Sequence, residues 1–375
     1  MRIAVVANTA WYLVNFRLNL MNALQAAGHE VVAIAPHDAV QSARLRAEGV
    51  VFVPVAISGA GTHPLRELQS LLALRRALRV NDVQAVLSYT PKGNLYSALA
   101  ALSLRVPFVP NVSGLGRSFI RKNWVTVVVK LLYRLTLGRA HKVFFQNLDD
   151  MGIFVQAGLV RPERCERLPG SGVDLSRFNM APWPDHAPEA PVFLLVARLL
   201  WDKGVGEFVN AARLVRQRYP KAQFHLLGFL DVDNPSAVPR GKVQAWEAEG
   251  LLTYLGPTDD VRRFLAVADC VVLPSYREGV PRTLLEAAAM GRPVITTDAP
   301  GCRDTVVHGQ TGLMCRVADA DDLAQQMLAW LAMPLAERRA MGQRGRLRVE
   351  AEFDERLVLH AYDRVVQELA RLERG

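Results

Sequence analysis

The sequence predicts an α/β protein with two domains, each built on a parallel sheet. Its 375 residues suffice for two domains of ordinary size, and half of them are hydrophobic, so each domain can bury a core. Short apolar runs alternate with helix-like segments twice along the chain, and a proline-rich stretch at 181–191 separates the two series. Because strands that alternate with helices form βαβ units, we expect the strands of each half to run parallel.

The first half opens with an apolar run that predicts a strand. The expected strands are Ile3–Ala7, Val31–Ala35, Val50–Val55, Val83–Ser88, Pro107–Asn111 and Lys142–Gln146. The expected helices are Val14–Ala27, Ala39–Ala47, Pro64–Leu78 and Asn94–Leu104. The sequence ANTAWYLVNFR follows the first strand and contains no glycine-rich dinucleotide fingerprint, which disfavours a nicotinamide or flavin enzyme.

The alternation restarts after the proline-rich stretch. The expected strands are Val192–Ala197, Gln223–Leu227, Leu251–Leu255, Val271–Pro274 and Pro293–Thr297, and the expected helices include Val243–Glu249, Pro281–Met290 and a last one at Glu355–Leu372. We therefore predict an N-terminal domain at 1–180, a linker at 181–191, a C-terminal domain at 192–354 and a terminal helix at 355–375.

Positive charge is concentrated in the first half. The net charge is +9, and residues 1–180 hold 21 Lys and Arg against 10 Asp and Glu, whereas the remainder holds 24 against 26. The first half is therefore expected to meet an anionic partner: nucleic acid, a phosphorylated substrate or an acidic membrane leaflet.

The cysteines and the first residues bear on where the protein works. The four cysteines show no C-x-x-C spacing and no nearby histidine cluster, which argues against a zinc site or a disulfide scaffold and fits a reducing cytosol. The apolar run after Arg2 is short, as in a first strand and unlike a signal peptide, and no run reaches the roughly 18 apolar residues of a spanning helix. We expect a soluble or peripheral protein.

Two glutamates in the second half are the strongest candidates for a ligand site. Glu278 lies in the loop between a predicted strand and a predicted helix, where open α/β sheets bind ligands and helix dipoles favour anions. Glu286 lies about a turn and a half into the apolar helix, where a buried carboxylate needs a partner. Two acceptors beside an anion-binding helix end suit a nucleotide sugar. The alternative is that both are solvent-facing acids.

Two cations follow the first strand of the second half. Arg198 leaves the end of this strand in VFLLVARLLWDKG, and Lys203 follows five residues later. An arginine fork and a lysine point charge can together hold a diphosphate. The alternative is an ordinary arginine with a solvated lysine.

This set resembles the motifs of glycosyltransferase family four, whose members are retaining enzymes of the GT-B type with two Rossmann-like domains and parallel sheets facing across a cleft. The resemblance implies that Glu278 contacts the donor sugar, that Gly279, Val280, Pro281, Arg282 and Thr283 hold sugar and phosphate, and that Glu286 binds the ribose hydroxyls. It implies that Arg198 and Lys203 clamp the donor diphosphate. It further implies retention by front-side attack, in which the leaving phosphate helps to deprotonate the acceptor.

In this mechanism Arg198, Lys203 and Glu278 carry catalysis. Charge builds on the departing diphosphate, and cations and helix N–H groups aimed at it supply the largest stabilisation, so neither a metal nor another cofactor is expected. In the same family the terminal helix packs back on the first domain.

The first domain has its own polar cluster. NVSGLGRSF at 111–119 and SYTPKGNLYS at 88–97 each follow a predicted strand, and they resemble the subgroup that adds sugars to polyprenyl-diphosphate intermediates, including N-acetylgalactosaminyl transferases of bacterial glycan assembly. Many relatives carry a histidine in the first of these loops, and this chain has none; Ser113 or backbone groups take its place. The residues expected at the acceptor are Asn8, Arg17, Tyr89, Lys92, Ser113, Gly114 and Arg117.

The segment Ile120–Leu137 mixes basic and apolar residues. Arg121, Lys122, Trp124 and Lys130 predict contact with an anionic membrane surface, and the alternative is a core helix with solvated cations.

The sequence as a whole predicts a metal-independent enzyme on the inner face of the plasma membrane. The resemblance implies that this enzyme moves a hexose or N-acetylhexosamine from a UDP-sugar to a lipid-linked acceptor, and no nucleic-acid partner is expected. Two alternatives remain: a UDP-sugar 2-epimerase of the same architecture, and a non-catalytic basic binding protein.

Overall fold

The computed structural model describes residues 1–57, 63–114, 124–185 and 189–374, with the backbone alone at 124–128 and 374. The chain forms two compact units, Met1–Ser171 with Leu357–Gly375 and Gly172–Arg356. Each unit contains one parallel sheet, so the predicted α/β class is confirmed.

Unit 1 contains a seven-stranded sheet in the order β3-β2-β1-β4-β5-β6-β7. Its strands are β1 Arg2–Val6, β2 Glu30–Ala35, β3 Val51–Pro54, β4 Ala85–Tyr89, β5 Phe108–Val112, β6 Val143–Phe145 and β7 Cys165–Arg167. Its helices are α1 Ala10–Ala26, α2 Ala39–Ala47, α3 Pro64–Val80, α4 Pro91–Leu104, α5 Trp124–Leu137 and α6 Leu148–Gln156. The strand order reverses between β1 and β4, so the loops that follow these two strands diverge.

Alternate residues of the strands pack into two hydrophobic cores, one on each face of this sheet. Ile3 and Val5 pack on one face with α1, and Ala4 and Val6 pack on the other with α3, α4 and α5. α1 begins at Ala10, four residues before the predicted start, because the Thr9 hydroxyl accepts a hydrogen bond from the backbone N–H of Tyr12 at 3.1 Å.

Unit 2 contains a six-stranded sheet in the order β10-β9-β8-β11-β12-β13. Its strands are β8 Val192–Val196, β9 Gln223–Leu227, β10 Thr253–Tyr254, β11 Cys270–Leu273, β12 Val294–Thr297 and β13 Gly312–Cys315. Its helices are α7 Val205–Arg218, α8 Arg240–Ala248, α9 Arg262–Val267, α10 Arg282–Ala289, α11 Ala320–Ala332 and α12 Leu335–Glu352. Here the strand order reverses between β8 and β11.

The last helix, α13 at Glu355–Arg374, contributes to the core of unit 1. Its buried residues lie in the same cluster as the α1 face of the sheet, and the Tyr362 hydroxyl accepts a hydrogen bond from Asn111 Nδ2 at 3.0 Å. The buried residues of this helix are Val358, Ala361, Tyr362, Val365, Val366 and Leu369. One face of the unit 1 sheet is therefore covered partly by the end of the chain.

The loops at the carboxyl edge of the unit 2 sheet approach one another backbone to backbone. Gly204, after β8, has φ +74°, and a Cβ there would lie 2.1 Å from the carbonyl oxygen of Pro274 after β11. Gly301, after β12, has φ +79°, and a Cβ there would lie 2.2 Å from the carbonyl oxygen of Gly279. Both positions require glycine for space as well as for conformation.

We predict that Gly301→Ala lowers the free energy of unfolding far more than Gly309→Ala. Gly309 shares the positive φ (+76°) but has open space around its Cβ position, so its cost is the conformational one of about 1–2 kcal/mol. Gly301→Ala adds a clash with backbone, and we expect its total cost to exceed about 3 kcal/mol. Urea denaturation of both variants measures the difference. Equal losses in the free energy of unfolding would show that the loop around Gly279 can move away from the added methyl group without strain.

Candidate active site

The point at which the strand order of unit 2 reverses brings together the cation and the acid that follow β8 and β11. Lys203 Nζ and Glu278 Oε1 form an ion pair, and the two side chains are 19% and 15% exposed. Arg198 is an exposed residue two positions after β8. A parallel α/β sheet binds ligands at this kind of position, because diverging loops leave space at the strand ends.

Hydrogen bonds hold the loop that carries Glu278. Asp202 accepts at its carbonyl from the backbone N–H of Tyr276 at 3.0 Å and from the Ser275 hydroxyl at 3.1 Å. The backbone N–H of Glu278 donates to the carbonyl of Pro300 at 3.0 Å. The loops after β8, β11 and β12 are therefore tied together, and the position of the Glu278 backbone depends on all three.

Tyr276 adds a side-chain contact to this loop. Its hydroxyl donates a hydrogen bond to Glu207 Oε1 at 2.6 Å, and burial together with the charge of Glu207 raises the pKa of the phenol. The phenol is thus neutral and keeps its proton as the donor. Neither Tyr276 nor Glu207 was predicted as a site residue, and their contact has no signal in the spacing of the sequence.

Glu286 is a buried carboxylate with a partner on its own helix. The residue is 8% exposed, and Arg282 Nε lies 2.7 Å from Glu286 Oε1, an i,i+4 pair along α10. Burial raises the pKa of Glu286, and the charge of Arg282 opposes that shift. The sequence predicted a partner for this carboxylate, and the i,i+4 spacing to Arg282 was the available signal.

The amino end of α10 completes the arrangement. The helix begins at Arg282 and has no acidic residue in its first turn, so its dipole is not neutralised there. Gly279, Val280 and Pro281 are buried, and Thr283 is half-buried. A helix start between Glu278 and Glu286 can accept an anion while the two carboxylates accept hydroxyl groups.

In unit 1, the loop after β4 carries a strained residue. Thr90 has φ +67°, which is rare for a β-branched residue, and it directly precedes α4. A Cβ at Gly93 would lie 2.9 Å from the Thr90 hydroxyl. Asn8 is half-buried after β1, and Lys92 Nζ forms an ion pair with Glu67 Oε1 of α3 at 2.6 Å. Thr90 was not predicted; strained residues of this kind cluster at functional sites.

Arg17 lies in the interior of unit 1 and is 1% exposed. Its guanidinium lies 4.1 Å from the centre of the Tyr89 ring, and it donates to the Tyr12 hydroxyl at 3.0 Å and to the Ser171 hydroxyl at 3.2 Å. Burial raises the pKa of the Tyr89 phenol well above its ordinary value. The predicted acceptor residues Arg17 and Tyr89 are thus packed together inside the unit.

The remaining predicted residues of unit 1 are placed in part. Ser113 and Gly114 are half-buried after β5. Arg117, Arg121 and Lys122 lie outside the described residues, as does the side chain of Trp124, whereas Lys130 is exposed on α5.

No three His, Cys, Asp or Glu side chains among the described residues are grouped so as to hold a metal ion. No helix among them combines the length and the apolar character needed to cross a membrane.

Two family models match this chain, one in each half. Residues 14–171 match the family model "Glycosyl transferase 4-like domain", and residues 190–333 match "Glycosyl transferases group 1". A relative in Campylobacter jejuni, the N,N'-diacetylbacillosaminyl-diphospho-undecaprenol alpha-1,3-N-acetylgalactosaminyltransferase, is 28% identical over 98% of this chain and 100% of its own length.

Solved structures show the same fold. Sucrose-phosphate synthase from Thermosynechococcus elongatus matches with a TM-score of 0.78 and 18% identity over 99% of this chain and 100% of its own. Anabaena HepE in complex with UDP-glucose matches with a TM-score of 0.78 and 17% identity over 100% and 99%. These likenesses confirm the predicted GT-B fold. The two family models together span more than half of the sequence, and they show that the chain belongs to the glycosyltransferases that these models describe, as the resemblance to family four predicted.

Proposed function

We propose that this protein transfers a hexose or N-acetylhexosamine, with retention, from a UDP-sugar to a saccharide linked to a polyprenyl diphosphate. The ion pair between Lys203 and Glu278, at the point where the strand order of unit 2 reverses, carries this proposal. The name of the Campylobacter relative supports the acceptor class, and the UDP-glucose complex of HepE supports the donor nucleotide.

The donor binds in unit 2 with its diphosphate at the start of α10. Lys203 and Arg198 neutralise the diphosphate, and the backbone N–H groups at 279–283 complete its contacts. Glu278 accepts from the sugar hydroxyls, and Glu286 accepts from the ribose hydroxyls. Because the Lys203 ammonium has three donors, it can keep Glu278 in place while it binds a phosphate oxygen.

In the reaction, the bond between the anomeric carbon and the diphosphate oxygen breaks, and its electron pair leaves with the nucleotide. The acceptor hydroxyl forms a bond to the anomeric carbon on the same face, and its proton passes to the leaving phosphate. The negative charge on this phosphate grows in the transition state, so the positive groups around it stabilise the transition state more than the bound donor.

The acceptor binds in unit 1. In this proposal Lys92, at the start of α4, meets the acceptor diphosphate, and Asn8, Ser113, Gly114 and Arg117 contact the saccharide. Arg17 and Tyr89 act from the interior, because their packing fixes the loops that follow β1 and β4.

A panel of nucleotide sugars tests the donor. A matching UDP-sugar at about 100 times its dissociation constant should add roughly 2.7 kcal/mol to the free energy of unfolding, because it binds only the folded protein. Thermal unfolding with UDP-GlcNAc, UDP-GalNAc, UDP-glucose, UDP-galactose and GDP-mannose measures the shift, with UDP and GDP as controls. Stabilisation by GDP-mannose and GDP alone would contradict a UDP-linked donor.

Glu278→Ala should lower kcat about a hundredfold to thousandfold while the protein stays folded. Glu278 holds Lys203, which faces the leaving phosphate in the proposed mechanism, and loss of one such stabilising donor costs about 2.7–4 kcal/mol of transition-state stabilisation. Glu249→Ala is the matched control, because it breaks an exposed ion pair with Arg213 elsewhere in unit 2. Initial rates and circular dichroism check both variants. A folded Glu278→Ala protein with wild-type kcat would remove Glu278 from the site.

Glu286→Gln should weaken UDP binding about tenfold to hundredfold, because a hydrogen bond to a charged group contributes about 1.5–3 kcal/mol. Glu350→Gln is its control: Glu350 also pairs with an arginine four residues earlier, Arg346, but on α12. Isothermal titration with UDP measures the change, and equal affinities for both variants would argue against a ribose contact at Glu286.

The same variant should change the pH dependence of stability. Because the pKa of Glu286 is raised by burial, the folded state disfavours the ionised carboxylate. The wild type therefore loses free energy of unfolding, relative to Glu286→Gln, as the pH rises from the unfolded glutamate pKa of about 4.3 through the raised folded pKa. Urea denaturation from about pH 4 to 8 measures the difference, and a difference that grows towards low pH would contradict the sign.

A further inference from the structure

The outward face of α3 carries three exposed leucines. Leu65, Leu68 and Leu72 are 67%, 52% and 55% exposed, and their i, i+3, i+7 spacing places them along one side of the helix. The opposite side carries Ser70, Leu74, Ala77 and Leu78, which are buried against unit 1. α3 thus has apolar residues on two sides, and only one of these sides is buried in the core.

Arginines accompany the exposed leucines. Arg76 and Arg79 are exposed on the same outward side, one and two turns beyond Leu72, and Arg66 is exposed beside Leu65. The sequence of α3 contains a single acidic residue, Glu67, and its carboxylate pairs with Lys92 at 2.6 Å. The outward face of α3 therefore combines apolar surface with positive charge.

A second helix on the same face of the unit 1 sheet repeats this combination. α5 has no acidic residue in its sequence, and its exposed residues Lys130, Leu131, Arg134 and Leu135 alternate cation and leucine. α3, α4 and α5 pack on one core of the sheet, and α4 touches both of the other two. Two helices on the same face of the sheet therefore both expose leucines together with basic residues.

The position of α3 relates this surface to the acceptor site. The ion pair between Glu67 and Lys92 joins the first turn of α3 to the first turn of α4. α4 begins directly after Thr90, at the point where the strand order of unit 1 reverses. The exposed leucines therefore start beside the residues proposed to meet the acceptor diphosphate.

We propose that the outward face of α3, made of Leu65, Leu68, Leu72, Arg76 and Arg79, docks on an anionic lipid bilayer. The leucines enter the interfacial region and the arginines meet lipid phosphates, which is how amphipathic basic helices bind membranes. The lipid chain of a polyprenyl diphosphate stays in the bilayer, so a docked α3 brings the start of α4 to its diphosphate. This last step rests on the proposed acceptor, whereas the docking itself does not.

Vesicle binding by the full chain tests docking without donor or acceptor. The probes are vesicles of phosphatidylcholine with phosphatidylglycerol and vesicles of phosphatidylcholine alone, and sedimentation measures the bound fraction. The wild type should prefer the anionic vesicles and lose affinity as salt rises. Leu65→Ser/Leu68→Ser/Leu72→Ser and Arg76→Glu/Arg79→Glu should each weaken binding at least about tenfold.

Control variants in unit 2 show whether binding depends on the α3 face itself or only on the net charge and the exposed apolar surface of the protein. Arg218→Glu/Lys242→Glu makes the same change in net charge on exposed residues of unit 2, and Leu347→Ser removes a leucine that is 64% exposed there. Both controls should bind vesicles as the wild type does. Thermal unfolding and circular dichroism confirm that each variant is folded.

Three outcomes would overturn the proposal: a wild type that ignores anionic vesicles, α3 variants that bind as well as the wild type, or controls that lose as much affinity as the α3 variants. A concentration-dependent dimer that the leucine variant abolishes would assign this face to a second copy of the chain instead. Vesicle binding with no sugar transfer would contradict the proposed function and leave the docking intact.

Discussion

The candidate active site depends on close backbone contact among three loops at the carboxyl edge of the unit 2 sheet. Gly204 and Gly301 each occupy a position where a Cβ would meet a backbone carbonyl at little more than 2 Å. Atoms cannot approach so closely, so these loops lie together only because two residues have no side chain. The contact fixes the loop that carries Glu278 against its neighbours on both sides. The backbone that carries the charged groups of the site is therefore closely packed.

The two ion pairs of the site depend on this packing to different extents. Lys203 and Glu278 belong to different loops, so their pairing depends on the contacts between these loops. Arg282 and Glu286 belong to one short helix, and their pairing depends only on helical spacing. Burying an unpaired charge is unfavourable because the charge loses its hydration. Each of these carboxylates is paired with a cation, which offsets that penalty, and the cation has further N–H groups that can bind a ligand. The site thus pairs its charges in the absence of a ligand.

Local patterns in the sequence were sufficient to predict the α/β class with two parallel sheets and the positions of the two glutamates, whereas the GT-B fold followed from the family resemblance. Periodicity gave most strands, and the strand-loop-helix pattern around Glu278 gave its place at a sheet edge. The partners of these residues were harder to predict, because Lys203 and Glu278 are 75 residues apart and meet only through strand order. The strain at Thr90 and the burial of Arg17 also arise from tertiary packing, and no periodic pattern encodes either.

The excess positive charge of the first half has a more specific meaning once the helices are placed. Summed over 180 residues, it suits nucleic acid, phosphate or membrane equally well. On α3 and α5 the basic residues stand among exposed leucines. Contacts with nucleic-acid phosphates are electrostatic and do not require such apolar surface. A bilayer surface offers both negative headgroups and an apolar interior, and for this reason we propose a bilayer in preference to the other two partners. The arrangement of the charge thus carries more information about the partner than its amount does.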